Sequence, residues 1–268
     1  MPYARVNDIQ MYYEVHGQGE PLVLIMGLSM DCTMWKRMLE VVTPRFRTLI
    51  FDNRGAGRSD KPEAAYSIAG FAADTVGLMD IVGFDSAHIL GASMGGMIAQ
   101  ELVLRYPERV RSLTLACTNC GGAQAVPAAP DIMALLMRRG EMTPEEMVRA
   151  SVPILYSAKT RETHPERIEE DVQRRLQHPQ PPHGYVNQLG AIMGFSTYDR
   201  LDQIKVPTLI IHGKEDVLVP PANATVLASR IPKAEVVLLD DAGHVFMTDQ
   251  PEAAAKSFLD FLGRQIRA

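Results

Sequence analysis

The chain has 268 residues, 46% of them hydrophobic, and a net charge of −5, which suits one large α/β domain or two small domains, with a substantial core. The negative balance argues against nucleic acid or an anionic membrane as partner, no apolar run reaches the roughly 18 residues that span a bilayer, and residues 1–5 show no basic segment leading into an apolar one. The three cysteines, Cys32, Cys117 and Cys120, are an odd, sparse set that fits a reducing, cytoplasmic setting.

Residues 9–15 alternate and run into Gly17-Gln18-Gly19, which predicts a strand entering a turn. Residues 21–26 are continuously apolar, as in a strand buried on both faces of a parallel sheet. A helix is expected over 35–42 and a strand over 47–51. Ser67 is placed to cap a helix running to Val82. Residues 87–90 predict a strand, 94–106 a helix ending before Pro107, and 110–116 a strand. From about Gly121 to Gln203 the chain becomes richer in Met, Pro, Arg and Glu, with an irregular joint at 178–184. The rhythm then resumes with a strand over 207–212, a helix over 222–231 and a strand over 235–239. The last helix starts near Pro251, a favoured first-turn residue, and its Ala255, Phe258, Leu259 and Leu262 share one face. The expectation is an α/β fold: a mostly parallel central sheet with helices on both faces. A helical cap over 121–203 is inserted into a core made of 1–120 and 204–268.

The most informative stretch is Gly91-Ala92-Ser93-Met94-Gly95. With a strand before it and a helix after it, G-x-S-x-G is the pattern of a nucleophile elbow. A Cβ at Gly91 or Gly95 would crowd the neighbouring backbone. The turn aims backbone N–H groups and a helix N-terminus at the place where negative charge develops. A serine hydroxyl needs a base, and the base needs an acid to orient it. Both are expected in loops after C-terminal strand ends, in the order Ser, acid, His. Asp216, in Gly213-Lys214-Glu215-Asp216, is the candidate acid, and His244, in Asp240-Asp241-Ala242-Gly243-His244, the candidate base. Glu215 and Asp241 are the rivals for the acid. Asn119 follows an earlier strand, but an amide supplies no charge. The tetrahedral intermediate needs two donors. They are assigned to the backbone N–H groups of Met94 and of Leu28, in the loop after the strand at 21–26. Cys117-Thr118-Asn119-Cys120 is formally C-x-x-C, but it follows a late strand rather than opening a helix. No second cysteine pair or spaced histidine pair accompanies it. No metal or cofactor is expected.

At these residues the chain resembles the α/β-hydrolase superfamily over its whole length. The resemblance rests on Gly91-Ala92-Ser93-Met94-Gly95-Gly96, on Gly213-Lys214-Glu215-Asp216, on Gly243-His244, and on 52–59, Asp-Asn-Arg-Gly-Ala-Gly-Arg-Ser. The last is similar to the family's D-x-R-G-x-G-x-S turn, which is mainly structural. Within the superfamily the chain is most similar to bacterial carboxylesterases and the 3-oxoadipate enol-lactonase-like group. Met26-Gly27-Leu28-Ser29-Met30-Asp31, with Trp35 further on, resembles that group's oxyanion loop. Many relatives have His-Gly where Met26-Gly27 stands, which moves the chain away from the aryl esterase and perhydrolase branch. Val245 after His244 disfavours the carbon–carbon bond hydrolases. Ser93 as nucleophile speaks against epoxide hydrolases and haloalkane dehalogenases.

The expected activity is hydrolysis of carboxylic esters through an acyl-enzyme, on small-molecule substrates with small to medium acyl or aryl groups. Lactonase action on an enol-lactone or an acyl-homoserine lactone is the alternative, and a non-catalytic ligand-binding module a more distant one. Trp35, Met133, Met137, Tyr156, Met193, Phe195 and Val245 are the expected pocket residues, with Met142 and Met147 also in the cap wall. Flexible methionines adapt to varied acyl groups. The assembly is expected to be a monomer or a homodimer.

Overall fold

The computed structural model describes residues 2–138 and 142–266. Among them, eight strands form one sheet. They are β1 (Tyr3–Val6), β2 (Ile9–His16), β3 (Glu20–Ile25), β4 (Phe46–Phe51), β5 (Ala87–Ala92), β6 (Val110–Ala116), β7 (Thr208–Gly213) and β8 (Glu235–Leu239). Their order across the sheet is β1-β2-β4-β3-β5-β6-β7-β8. β2 pairs antiparallel with both β1 and β4. Every other pair is parallel. This is the mostly parallel α/β sheet that the sequence predicts.

Alternation along the strands divides the core. Val23 and Ile25 of β3, with Ile89 of β5, face one side. There they meet Phe71 and Leu78 of α2 (Ile68–Ile81) and Ile98 and Leu102 of α3 (Met94–Arg105). Leu22 and Leu24 of β3, with Leu90 of β5, face the other side. There they meet Met38 and Val42 of α1 (Lys36–Val42) and Phe258, Phe261 and Leu262 of α12 (Pro251–Ile266). Strands buried on both faces read as continuous apolar runs for this reason. Ser67 caps α2 by accepting from the Gly70 N–H at 3.0 Å.

Two elements differ from the sequence reading. β1 is not anticipated: it is a four-residue edge strand with Val6 its only buried residue, so it carries little apolar signal. The helix expected over 35–42 begins earlier, as a 3₁₀ turn at Cys32–Trp35 capped by the Asp31 carboxylate, and α1 follows it.

Between β6 and β7 the chain leaves the sheet. It forms α4 (Pro130–Met137), α5 (Pro144–Ala150), α6 (Val152–Leu155), α7 (Ala158–Thr163), α8 (Pro165–Gln177) and α9 (Pro182–Met193). Prolines open the first turns of α4, α5, α8 and α9, where the missing N–H is not needed. The ends of the excursion are stitched together by an antiparallel bridge between Gly121 and Ser196 and by the Thr197 N–H on the Cys120 carbonyl at 2.9 Å. α10 (Ala222–Arg230) and α11 (Phe246–Asp249) complete the body. Among the described residues, no helix is long and apolar enough to cross a membrane.

Candidate active site

Ser93 stands between the end of β5 and the first turn of α3, with φ 56° and ψ −122°. A left-handed conformation at a non-glycine residue stores strain, and the surroundings hold it in place. The Ser93 N–H donates to the Ala116 carbonyl at 2.9 Å, and the Ser93 carbonyl accepts from the Thr118 hydroxyl at 2.7 Å. The flanking glycines are obligatory. A Cβ on Gly91 would lie 2.1 Å from the Gly95 carbonyl oxygen, and one on Gly95 2.1 Å from that of Ile25.

His244 lies in the loop after β8 and Asp216 in the loop after β7. His244 Nδ1 is 2.7 Å from Asp216 Oδ2. Asp216 Oδ1 accepts from the N–H groups of Leu218 at 3.0 Å and Val219 at 2.8 Å. His212, on β7, is a second histidine at this carboxylate: its Nε2 is 3.3 Å from Asp216 Oδ2 and 2.8 Å from the Val219 carbonyl. Burial alone would raise the Asp216 pKa. The His244 charge and the hydrogen bonds from both histidines outweigh it and hold the carboxyl well below the usual carboxylate range. The rival acids are engaged elsewhere. Glu215 accepts from the Ala158 N–H at 3.1 Å, Asp241 pairs with Lys159 at 2.7 Å, and Asn119 Oδ1 accepts from the Gly121 N–H at 2.8 Å.

The His244 loop is held from below by Asp249, a residue the sequence reading passed over. Its Oδ2 accepts from the Gly243 N–H at 2.7 Å and the Ser157 N–H at 3.0 Å. Burial raises its pKa, and these donors oppose the rise.

The loop after β3 passes beside Ser93. A Cβ on Gly27 would come 2.9 Å from Ser93 Cβ and 3.4 Å from its Oγ, so the loop backbone faces the hydroxyl. The Ser29 N–H is taken by Gln188 Oε1 at 3.0 Å. The N–H groups of Leu28 and Met94 meet no acceptor among the described residues. The loop is fixed through the Asp52–Ser59 turn. Asn53 donates to the Met26 carbonyl at 2.8 Å, and Gln188, on α9, donates to the Arg54 carbonyl at 2.8 Å. Asp52 braces the turn by accepting from the backbone N–H groups of Cys32 and Arg58, each at 2.8 Å.

Ser93 and His244 open into one cavity of about 350 Å³ between the sheet-bearing body and the helices of the excursion between β6 and β7, the segment expected as a cap. Leu28, Met94, Met133, Met137, Met193 and Val245 line it, as does Met147. Three expected pocket residues do not. Trp35 is fully buried beneath the loop, among Met38, Phe46 and other core residues. Tyr156 is turned away, with its hydroxyl on Asp171 at 3.3 Å. Phe195 packs in the body beside Gly121. Apolar residues of a cap read alike whether they face the cavity or the core, and only packing separates them. Met142 also lies outside the lining. One polar lining residue, Arg175 on α8, was not foreseen, because nothing distinguishes it from its neighbour Arg174 in a charged helix.

Cys117, Asp216 and His244 place possible ligand atoms within 4.8 Å of one another. The set is a poor one for a cation. Burial pushes the Cys117 thiol far above its usual range, and Asp216 Oδ2 is already engaged by two imidazoles.

The family described as alpha/beta hydrolase fold matches residues 20–251. A relative from Azorhizobium caulinodans, named "Putative carbamate hydrolase RutD", is 32% identical over 264 residues, covering 98% of each chain. The structure is similar to that of the enol-lactonase from Burkholderia xenovorans LB400, with TM-score 0.87 and 28% identity over 98% of this chain and 100% of the other. It is also similar to a thermophilic esterase from Thermogutta terrifontis, with TM-score 0.84 and 29% identity over 96% and 94% of the two chains.

Proposed function

The chain belongs to the α/β-hydrolase fold family, and from that premise we propose that it hydrolyses carboxylic esters and lactones by serine catalysis. One observation carries the reading. A serine held in a strained elbow opens into the same cavity as a histidine whose other ring nitrogen is fixed by a buried carboxylate. With its Nδ1–H donated to Asp216, His244 presents Nε2 as the base. Ser93 Oγ attacks the carbonyl carbon and gives its proton to Nε2. The oxyanion accepts from the N–H groups of Leu28 and Met94. Asp216 stays ionised and stabilises the imidazolium. Collapse of the intermediate expels the alkoxide, which takes the proton from His244. Water then attacks the acyl-enzyme by the same route and frees Ser93.

Esters, lactones and carbamates share the attacked carbonyl, and the relatives named above span all three. Ester or lactone preference is the expectation, since a carbamate carbonyl is the least electrophilic of them. The test is turnover of an aryl ester, a matched lactone and an aryl carbamate by wild type and Ser93→Ala. The variant is expected to lose about 10⁴-fold or more in kcat on whichever is the best substrate. Retention of most turnover by Ser93→Ala would end the serine mechanism, and faster wild-type turnover of the carbamate would replace esters and lactones as the substrate class.

A further inference from the structure

The cavity holding Ser93 and His244 carries a permanent charge at one described lining residue, Arg175 of α8. Met147, Leu155 and Met247 are among the other lining residues, so the Arg175 side chain borders a largely apolar space. The nearby carboxylates are already matched. Asp171 Oδ1 accepts from Arg37 at 2.8 Å and Arg174 at 2.7 Å, and its Oδ2 from the hydroxyls of Thr248 at 2.6 Å and Tyr156 at 3.3 Å. Glu170 is paired with the same two arginines. Arg37 and Arg174 therefore balance Asp171 and Glu170, and Arg175 is left without an ion pair among the described residues. Its Nη1 donates to the Ser151 hydroxyl at 2.9 Å, while its Nε is buried with no acceptor among the described residues. Burial lowers its pKa, partly offset by Tyr156 and Asp171, but a guanidinium remains charged.

A half-buried cation with no carboxylate at ion-pair distance among the described residues is costly, and the cost falls when a substrate brings the anion. The guanidinium fork fits a carboxylate and holds it in a fixed orientation. Ser151 and Leu155 place this corner on the His244 side, since the Leu155 carbonyl accepts from the Val245 N–H at 2.9 Å. The cavity volume is within the range of small-molecule sites.

We infer that Arg175 is a carboxylate-recognition subsite, so that the preferred substrate carries a free carboxylate on the same molecule as the scissile ester or lactone carbonyl. The inference rests on the serine-hydrolase reading for its chemistry but not for its binding.

The kinetic test compares 4-nitrophenyl hemiglutarate with its methyl ester, which differ in the one charged group. Wild type is expected to favour the anion in kcat/KM. Arg175→Met is expected to lower the ratio of anion to neutral ester by about 10- to 100-fold, the usual worth of a hydrogen bond to a charged group. Arg175→Lys should fall between, having the charge without the fork. The ratio is read within each variant, so a general loss of folded protein cancels. The binding test needs no turnover: calorimetry of hexanoate and hexanamide against wild type and Arg175→Met. Hexanoate should bind wild type at least about 10-fold more tightly than the amide, and this preference should vanish in the variant. If Ser93→Ala retained turnover, the mechanism would fail while the binding result still stood. An anion-to-neutral ratio unchanged by Arg175→Met in both tests would overturn the subsite.

Discussion

Single atoms govern the chemistry of this site. Gly27 shows how tight the tolerance is: one added methyl group would stand 2.9 Å from Ser93 Cβ and 3.4 Å from its Oγ, in the space an oxyanion needs. Gly27→Ala is expected to lower kcat about 10²-fold, comparable to losing one oxyanion donor. Stability should fall by only about 1–2 kcal/mol, the cost of modest overpacking. Steady-state kinetics beside urea unfolding checks this, and an unaltered kcat would remove the loop from the reaction. At this scale the sequence was legible where residue chemistry is unusual. Ser93, Asp216 and His244 stand out because a serine between glycines, and an acid and a histidine at strand ends, have few other reasons to occur together. Asp249 and Arg175 did not stand out. An acid in a loop and an arginine beside another arginine are ordinary until their neighbours are known.

Among elements, the contact between α9 and the body matters most to the site. Gln188 is fully buried. It accepts from the Ser29 N–H, donates to the Arg54 carbonyl, and accepts from Gln180 at 2.9 Å. One amide thus joins the cap, the loop after β3 and the Asp52–Ser59 turn. Gln188→Leu would leave the first two backbone groups, both part-buried, unpaired, at about 1–2 kcal/mol each. The expected outcome is a loss of about 2–4 kcal/mol in unfolding free energy together with a lower kcat, because Ser29 adjoins Leu28, the proposed oxyanion donor. Denaturant titration with parallel kinetics tests the link, and full kcat in a destabilised variant would break it. The joint at 178–184, irregular by sequence, proves to be a row of latches. His178 meets Asp31 at 3.0 Å, Gln180 donates to the Gly55 carbonyl at 2.7 Å, and His183 meets the Lys61 carbonyl at 2.9 Å. Prolines there hide a docking strip from any periodicity argument, since its partners lie more than a hundred residues away.

The whole molecule is expected to respond to acid through buried groups, one in the sheet and one in the loop after β7. His88 of β5 bonds Ser112 at 2.8 Å and meets the Phe46 ring edge-on. Burial, aided by Arg111, pushes its imidazole down from an ordinary 6.5 to about 4. The unfolded chain therefore binds a proton that the folded chain refuses, so stability is lost as pH falls from about 6.5 towards 4. Between pH 7 and pH 5 this group alone should remove about 2 kcal/mol. Urea unfolding at the two pH values, in wild type and His88→Gln, should show the difference shrink in the variant; an equal difference would place the acid sensitivity elsewhere. Asp216 adds a second step. Its carboxylate is favoured by the fold, so its contribution is present above the ordinary aspartate range and is lost as pH falls below it. What the sequence determined by itself was the alternation of strands and helices, the elbow and the order of its partners, because these follow from local periodicity and turn chemistry. The tertiary structure alone decided which cap residues face the cavity, that Trp35, Tyr156 and Phe195 do not, and that Arg175 makes no ion pair among the described residues. Those facts depend on which distant side chains meet, and a carboxylate is spent or spare only relative to the arginines that packing brings to it.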